Sequence, residues 1–429
     1  MPTGQGVDSV STMTNSRLSH GAGFWVVASA FLLVMAYATV PTPLYPLYQE
    51  ADGFPVSVIT LIFAAFAVGV VLSLFLLGHV SDWMGRRRML VIAILIAVLS
   101  AVLFLLWHEV PGLLAARLVN GASVGILTAT ATAHLGELRA HARPSENVIV
   151  AASVAGAANL GGLALGPLIG GLFAEFLPAP LVLPHAVFLV VLIVAAIAVA
   201  CVPETVTPPH EPRRYRPQRI AAPPRSRTAF VAAGFGAFAG FALFGLFTSL
   251  APTILISTFG EHDHLLAGVT ACSVFAAAAS GQVALARVPM RIQLAVAAVC
   301  CAVGLVAVAA GTLLPSLPVF LGGGIVAGVG VGLLFRSAVA TASALAESGR
   351  RGETLALIFL IAYCGLALPV LAIGVILTFA SQTAVLLVFI SIVLIATVSA
   401  AVVMRRAFVG PASRAQRGVF VPIDDETAP

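Results

Sequence analysis

The string Gly78-His79-Val80-Ser81-Asp82-Trp83-Met84-Gly85-Arg86-Arg87-Arg88 separates two long apolar runs, 56–77 before it and 89–107 after it. An acid, a glycine and three arginines are therefore wedged between two segments long enough to cross a bilayer. Asp82 lies four residues after Gly78 and four before Arg86, so a continuing helix would stack the three on one face. Gly78 removes bulk where a neighbouring helix can approach, and Gly85 supplies a turn. The arginines, Arg86, Arg87 and Arg88, cannot follow the apolar run into lipid, so this loop is held on one side of a membrane.

The rest of the chain agrees with that setting. Of 429 residues, 60% are apolar and 9% charged, with a mean hydropathy of +1.07. Soluble domains carry roughly 25% charged residues, so this composition is built for lipid. At about 20 residues per span the length accommodates about a dozen spans. Twelve apolar runs are found, at about 24–47, 56–78, 89–107, 111–134, 148–174, 181–202, 228–255, 265–286, 292–314, 317–345, 354–379 and 383–404. The expected fold class is an all-α polytopic membrane protein of twelve transmembrane helices. The first 23 residues are polar and no small-residue cleavage pattern follows the first run, which reads as a retained span.

All 22 basic residues are arginines, and the net charge is +5. Their distribution points to topology rather than to an anionic partner such as nucleic acid. With the N-terminus placed in the cytoplasm, 20 arginines fall in cytoplasmic loops and tails and none in the opposite loops. Those opposite loops carry Glu50, Asp52, Glu109, Glu175, Glu261 and Asp263. So lopsided a count predicts twelve spans with both ends cytoplasmic, because one missed span would scramble it. Cys201, Cys272, Cys300, Cys301 and Cys364 all lie in apolar runs and read as small buried hydrophobes. No cofactor or metal is expected, since no Cys/His ligand cluster occurs.

The longest break, 203–227, is rich in proline and arginine and divides the spans six and six. The expected organisation is an N-terminal tail (1–23), a six-helix bundle (24–202), a cytoplasmic linker (203–227), a second bundle (228–404) and a C-terminal tail (405–429). The halves echo one another. Asn120-Gly-Ala-Ser-Val-Gly-Ile-Leu127 aligns with Ala327-Gly-Val-Gly-Val-Gly-Leu-Leu334, and Thr39-Val-Pro-Thr-Pro43 with Thr248-Ser-Leu-Ala-Pro252. Parallel repeats of this kind place a transport site near the midplane where the halves meet.

The Gly78–Arg88 string resembles the loop between helices 2 and 3 of the major facilitator superfamily, with Trp83 where that family usually has a basic residue. In span 5, Gly162-Leu-Ala-Leu-Gly166-Pro167-Leu-Ile-Gly170-Gly171 forms a flat glycine stripe beside a proline that loosens the helix. The string is similar to the motif of the superfamily's drug–proton antiporters, which implies export. In span 4, Arg117-Leu-Val-Asn120-Gly121 resembles the family's intramembrane basic motif, which implies proton coupling. A membrane-embedded arginine costs on the order of 2.5–3.5 kcal/mol unless it meets a cavity or partner. Arg117 and Arg336 are accordingly the candidates for contact with an anionic or polar substrate group, snorkelling to either surface being the alternative.

No acid lies near a helix centre. Asp82 and Glu137 stand at cytoplasmic ends, and His134 is read as the intramembrane group that titrates near neutral pH. These residues, with Gly78, Gly85, Arg86, Arg87, Arg117, Gly162, Gly166, Pro167, Gly170 and Gly171, are the coupling and gating candidates. The candidate substrate lining is Tyr37, Thr39, Arg117, Asn120, Asn159, Phe244, Thr248, Arg336 and Tyr363. Kinks are expected at Pro41, Pro43, Pro252 and Pro369. A lining with few fixed charges suits hydrophobic or amphipathic compounds. The expectation is a monomeric transporter in the cell membrane, exchanging a small molecule against protons. An importer or uniporter of a small metabolite is the main rival. An enzyme reading rests on Gly121-Ala-Ser123-Val-Gly125, which lacks the strand–turn–helix setting that nucleophile requires. His134 is eleven residues on, about 16 Å along one helix.

Overall fold

A computed structural model describes residues 18–78, 80–147, 149–206, 227–347 and 351–407. Most of the two expected tails and of the linker lies outside these residues, with arginines 17, 213, 214, 216, 219, 225, 350, 414 and 417. Twelve long helices carry the fold: α1 His20–Thr39, α2 Val56–Leu77, α3 Arg86–Leu106, α4 Val110–Ala142, α5 Ile149–Phe176 and α6 Leu183–Ala200, then α7 Arg227–Gly245, α8 His264–Ala284, α9 Met290–Leu313, α10 Leu317–Leu345, α11 Arg351–Ile376 and α12 Gln382–Ala407. Each is long and apolar enough to cross a membrane. Helix is the local answer because, in lipid, every backbone N–H and C=O must find its partner within the segment.

The first six helices pack around one another and the last six do likewise, giving two six-helix bundles. Their outward faces keep apolar stripes in the open, such as Val299, Val303 and Val306 on α9 and Val190, Val194 and Ile197 on α6. Stripes of that extent belong against acyl chains rather than water. The internal repeat is a packing repeat as well. Gly121 and Gly125 of α4 lie against the backbone of α2, and their counterparts Gly328 and Gly332 of α10 lie against the backbone of α8.

Two boundaries differ from the hydropathy reading. α4 extends eight residues past the expected end at 134, because charged residues ride on the last turns once the chain leaves the apolar layer. The first span is broken: α1 stops at Thr39, a 3-10 turn runs over Thr42–Leu44, and a second helix spans Tyr45–Asp52. Pro41 and Pro43 cannot donate to the carbonyls of Tyr37 and Thr39, so the α-helical ladder ends there. α7 is interrupted at the matching place, with π-helical turns at Leu246–Leu250 and Leu255–Phe259 flanking Pro252. Pro167 and Pro369, by contrast, sit inside uninterrupted helices.

The bundles touch at the end of the molecule that carries Glu175, Glu261 and Asp263. There Gly171 of α5 meets Gly268 and the His264 carbonyl of α8, and the Glu175 carboxylate accepts from the His264 N–H at 3.0 Å. Beside them Gly374 of α11 rests on Thr60 of α2. At the arginine-rich end the bundles part.

Candidate functional site: a cavity between the bundles

The gap between the bundles is a cavity of about 720 Å³. It begins near mid-depth, at Thr39, Arg117 and Thr248, and runs toward the arginine-rich end, where Thr132, Ile149, Ser343 and Ala344 line it. Ligand sites are commonly about 300–1,000 Å³ and mostly apolar with few polar groups. Phenylalanines supply much of this wall. Phe241 packs against Phe335 at 4.8 Å and against Tyr363 at 5.7 Å, and Phe244 stacks on Phe275 at 4.5 Å. Phe63 and Phe66 face them from α2.

Seven of the nine residues expected to line a cavity do so: Thr39, Arg117, Asn159, Phe244, Thr248, Arg336 and Tyr363. Tyr37 and Asn120 do not. Tyr37 turns into the first bundle, where its hydroxyl pairs with Nδ1 of His185 at 3.2 Å. Tyr48 takes the other ring nitrogen at 3.1 Å, and Phe104 stacks on the ring at 4.4 Å. This histidine, held by Tyr37 and Tyr48, is a second buried histidine of the first bundle in addition to His134. Asn120 is fully buried within the first bundle, with neither amide atom hydrogen-bonded. The phenylalanines at 63, 66, 241, 275, 335 and 359 were not legible as lining. Phe241 and Phe244, three apart on one helix face, were the available signal.

Arg117 does not snorkel. It is 1% exposed, donates from Nη1 to the Ala38 carbonyl at 2.7 Å and lays its guanidinium on the Phe66 ring at 4.6 Å. Ala38 is in the last turn of α1, where carbonyls lack intrahelical donors and the helix dipole favours a cation. Arg336 caps α8 in the same way, donating to the Gln282 carbonyl at 3.1 Å and the Ala286 carbonyl at 3.2 Å.

The span 5 glycines sort into two sets. Gly162, Gly166 and Gly170 seat α5 on α1, so a Cβ at any of them would run into that helix. Pro167 and Gly171 face the other bundle through α8. One stripe thus joins α5 to its own bundle, and its neighbouring residues form the closed contact.

At the arginine-rich end the opening loop becomes a polar knot. Gly78 continues α2 in right-handed helical geometry. A single turn, Ser81–Met84, then ends at Gly85, whose φ of 101° breaks the helix that Gly78, Asp82 and Arg86 were expected to share. Arg86 still reaches back to Asp82 at 2.5 Å, and it also grips Glu137 of α4 at 3.1 Å. Glu137 receives the Thr205 hydroxyl at 2.5 Å, and Thr205 pairs with Nδ1 of His134 at 3.0 Å. Glu204 accepts from the backbone N–H groups of Arg86 and Arg87 at 2.8 and 3.1 Å, capping the start of α3. Arg87 extends its side chain to the Val202 carbonyl at 3.4 Å. Glu204 and Thr205 were read only as linker, since nothing in their spacing ties them to a loop some 120 residues earlier.

Ser123 is buried and donates to the Ala93 carbonyl at 2.7 Å, far from the solvent-facing geometry of a nucleophile. Among the described residues no group of His, Cys, Asp or Glu could hold a metal ion.

Known proteins agree with this architecture. The quinolone resistance protein NorA of Staphylococcus aureus (strain Mu50 / ATCC 700699, with the same figures for strain N315) is 24% identical over 152 residues. That stretch is 35% of this chain and 38% of the relative, so the likeness spans well under half of either. The crystal structure of the human organic anion transporter MFSD10 (TETRAN) superposes with a TM-score of 0.64 at 19% identity, over 89% of this chain and 99% of that one. At that identity the likeness speaks for the fold alone. The family described as Major Facilitator Superfamily matches residues 26–311, well over half of the chain. With twelve spans, two bundles and a cavity between them, the chain belongs to the Major Facilitator Superfamily, whose members are membrane transporters and not enzymes.

Proposed function

We propose that the protein is a secondary active transporter of the cell membrane that exports small hydrophobic or amphipathic compounds against proton entry. The carrying observation is the 720 Å³ phenylalanine-lined cavity between the bundles, closed at the acidic end and extending to the arginine-rich end. The arginine distribution supports placing that end, and both termini, in the cytoplasm under the positive-inside rule, and we take the working molecule to be a monomer. The cavity then receives substrate from the cell interior. Rocking of the bundles about this site, with the α5–α8 contact parting as the arginine-rich end closes, gives alternating access. The span 5 glycine–proline string and the likeness to a quinolone resistance protein support export.

A second reading has its own observation. No Asp or Glu lines the cavity among the described residues, which favours uncoupled movement of a metabolite over proton exchange. Proteoliposomes loaded with an amphipathic compound and given an imposed proton gradient separate the two. Uphill movement that collapses with a protonophore, and weakens in Arg117→Ala, is expected. Equilibration that ignores the gradient would replace the antiporter with a uniporter.

A further inference from the structure

The fixed charge on the cavity wall has one sign. Among the described lining residues Arg117 and Arg336 are charged, and no carboxylate stands with them. Both arginines cap a helix end, but they differ in how many guanidinium nitrogens are satisfied. Arg336 is half-buried and spends two guanidinium nitrogens on the carbonyl end of α8. Arg117 lies at the blind end of the cavity, fully buried, with Nη1 on Ala38 and its Nε hydrogen-bonded to nothing. No ion pair reaches it among the described residues. A cation withdrawn from water without a counter-ion is unfavourable, and one carbonyl with one aromatic face offsets only part of that. The cavity that Arg117 lines is the side from which a further partner can reach it.

We propose that the cavity selects organic anions. The substrate carries one carboxylate or sulfonate, bound by Arg117, on an aromatic or similarly flat apolar body held between Phe66, Phe244 and Phe275. Arg336, nearer the mouth, draws the anion inward. A lipophilic cation of the same shape meets two like charges and no acid to offset them, so it is excluded. A guanidinium suits this task because its planar donors match a carboxylate or sulfonate. The proposal rests on the transport reading above and narrows its substrate class.

The test uses the purified full chain and three probes sharing a naphthalene body: 2-naphthoate, neutral 2-naphthylmethanol and cationic 2-naphthylmethylammonium. Binding is measured in detergent, with naphthoate as the labelled ligand and the others as competitors, and flux is measured in proteoliposomes. Naphthoate is expected to bind about tenfold or more tighter than the alcohol, with the ammonium weakest. Arg117→Gln should bring naphthoate down to the level of the alcohol, whereas Arg117→Lys keeps part of its advantage. Equal or tighter binding of the ammonium, or an anion preference that survives Arg117→Gln, would overturn the proposal. Should Arg117→Gln fail to fold, the wild-type ranking and Arg336→Gln decide it. Flux of the alcohol or ammonium without naphthoate defeats the anion proposal and leaves the transport reading standing. A folded protein that moves none of the three defeats both.

Discussion

The Thr39 hydroxyl of α1 donates to the Leu163 carbonyl of α5 at 3.1 Å. Leu163 is the acceptor that Pro167, four residues on and without an N–H, leaves unpaired. Two motifs from different spans are thereby one device: the proline loosens α5, and the threonine beside the cavity takes the hydrogen bond it vacates. Thr39→Val keeps the shape and orphans the carbonyl, which costs about 1–3 kcal/mol. Thermal unfolding in detergent should register that loss. The same substitution should cost clearly less in a Pro167→Ala background, where the N–H returns. Equal losses in both backgrounds would show that the bond does not serve the proline.

Gly85 occupies a backbone conformation that side chains rarely adopt, and a Cβ there would come 2.5 Å from Oε2 of Glu204. Gly85→Ala therefore meets backbone strain of order 1–3 kcal/mol and displaces the cap of α3. Gly161→Ala, with nothing within 4 Å, is the control. Transport and folded yield should fall for the first and hold for the second.

Glu204 ties the chain after α6 to the start of α3. Glu204→Ala removes a helix cap and should destabilise by roughly 0.5–2 kcal/mol. Glu204→Gln keeps an acceptor and should retain most of that stability. A melting temperature indifferent to both changes would mean that the cap is idle in the membrane.

The closed end depends on Gly171 lying against Leu265 and Gly268. In a background freed of its native cysteines, Gly171→Cys with Leu265→Cys should cross-link, stop transport, and recover on reduction. A cysteine at Ser343, in the same background, should stay reactive to maleimide in the cross-linked protein. Loss of that reactivity would place the opening elsewhere.

Anion export against protons is electrogenic: one monoanion out and one proton in move two charges. At 100 mV each charge is worth about 2.3 kcal/mol, so the pair gains about 4.6 kcal/mol. Vesicles clamped with valinomycin and a potassium gradient should export naphthoate faster when the interior is negative. A rate independent of potential would argue for a compensating ion.

The sequence alone carried the spans, because lipid leaves backbone polar groups no partner but the helix and leaves arginine no place but the loops. Gly85, Pro167 and Arg117 were legible for the same local reason: each breaks a rule of its own segment. Partners were another matter. Hydropathy cannot say that Tyr37 turns toward His185 while Thr39, two residues on, faces the cavity, since the two positions sit on different sides of one apolar helix. Nor does it reveal that Glu204 caps a helix 118 residues earlier. The phenylalanine wall looks like ordinary packing until the bundles are placed side by side. Which apolar face meets lipid, neighbour or cavity is decided by how the helices pack, because all three surroundings accept the same side chains.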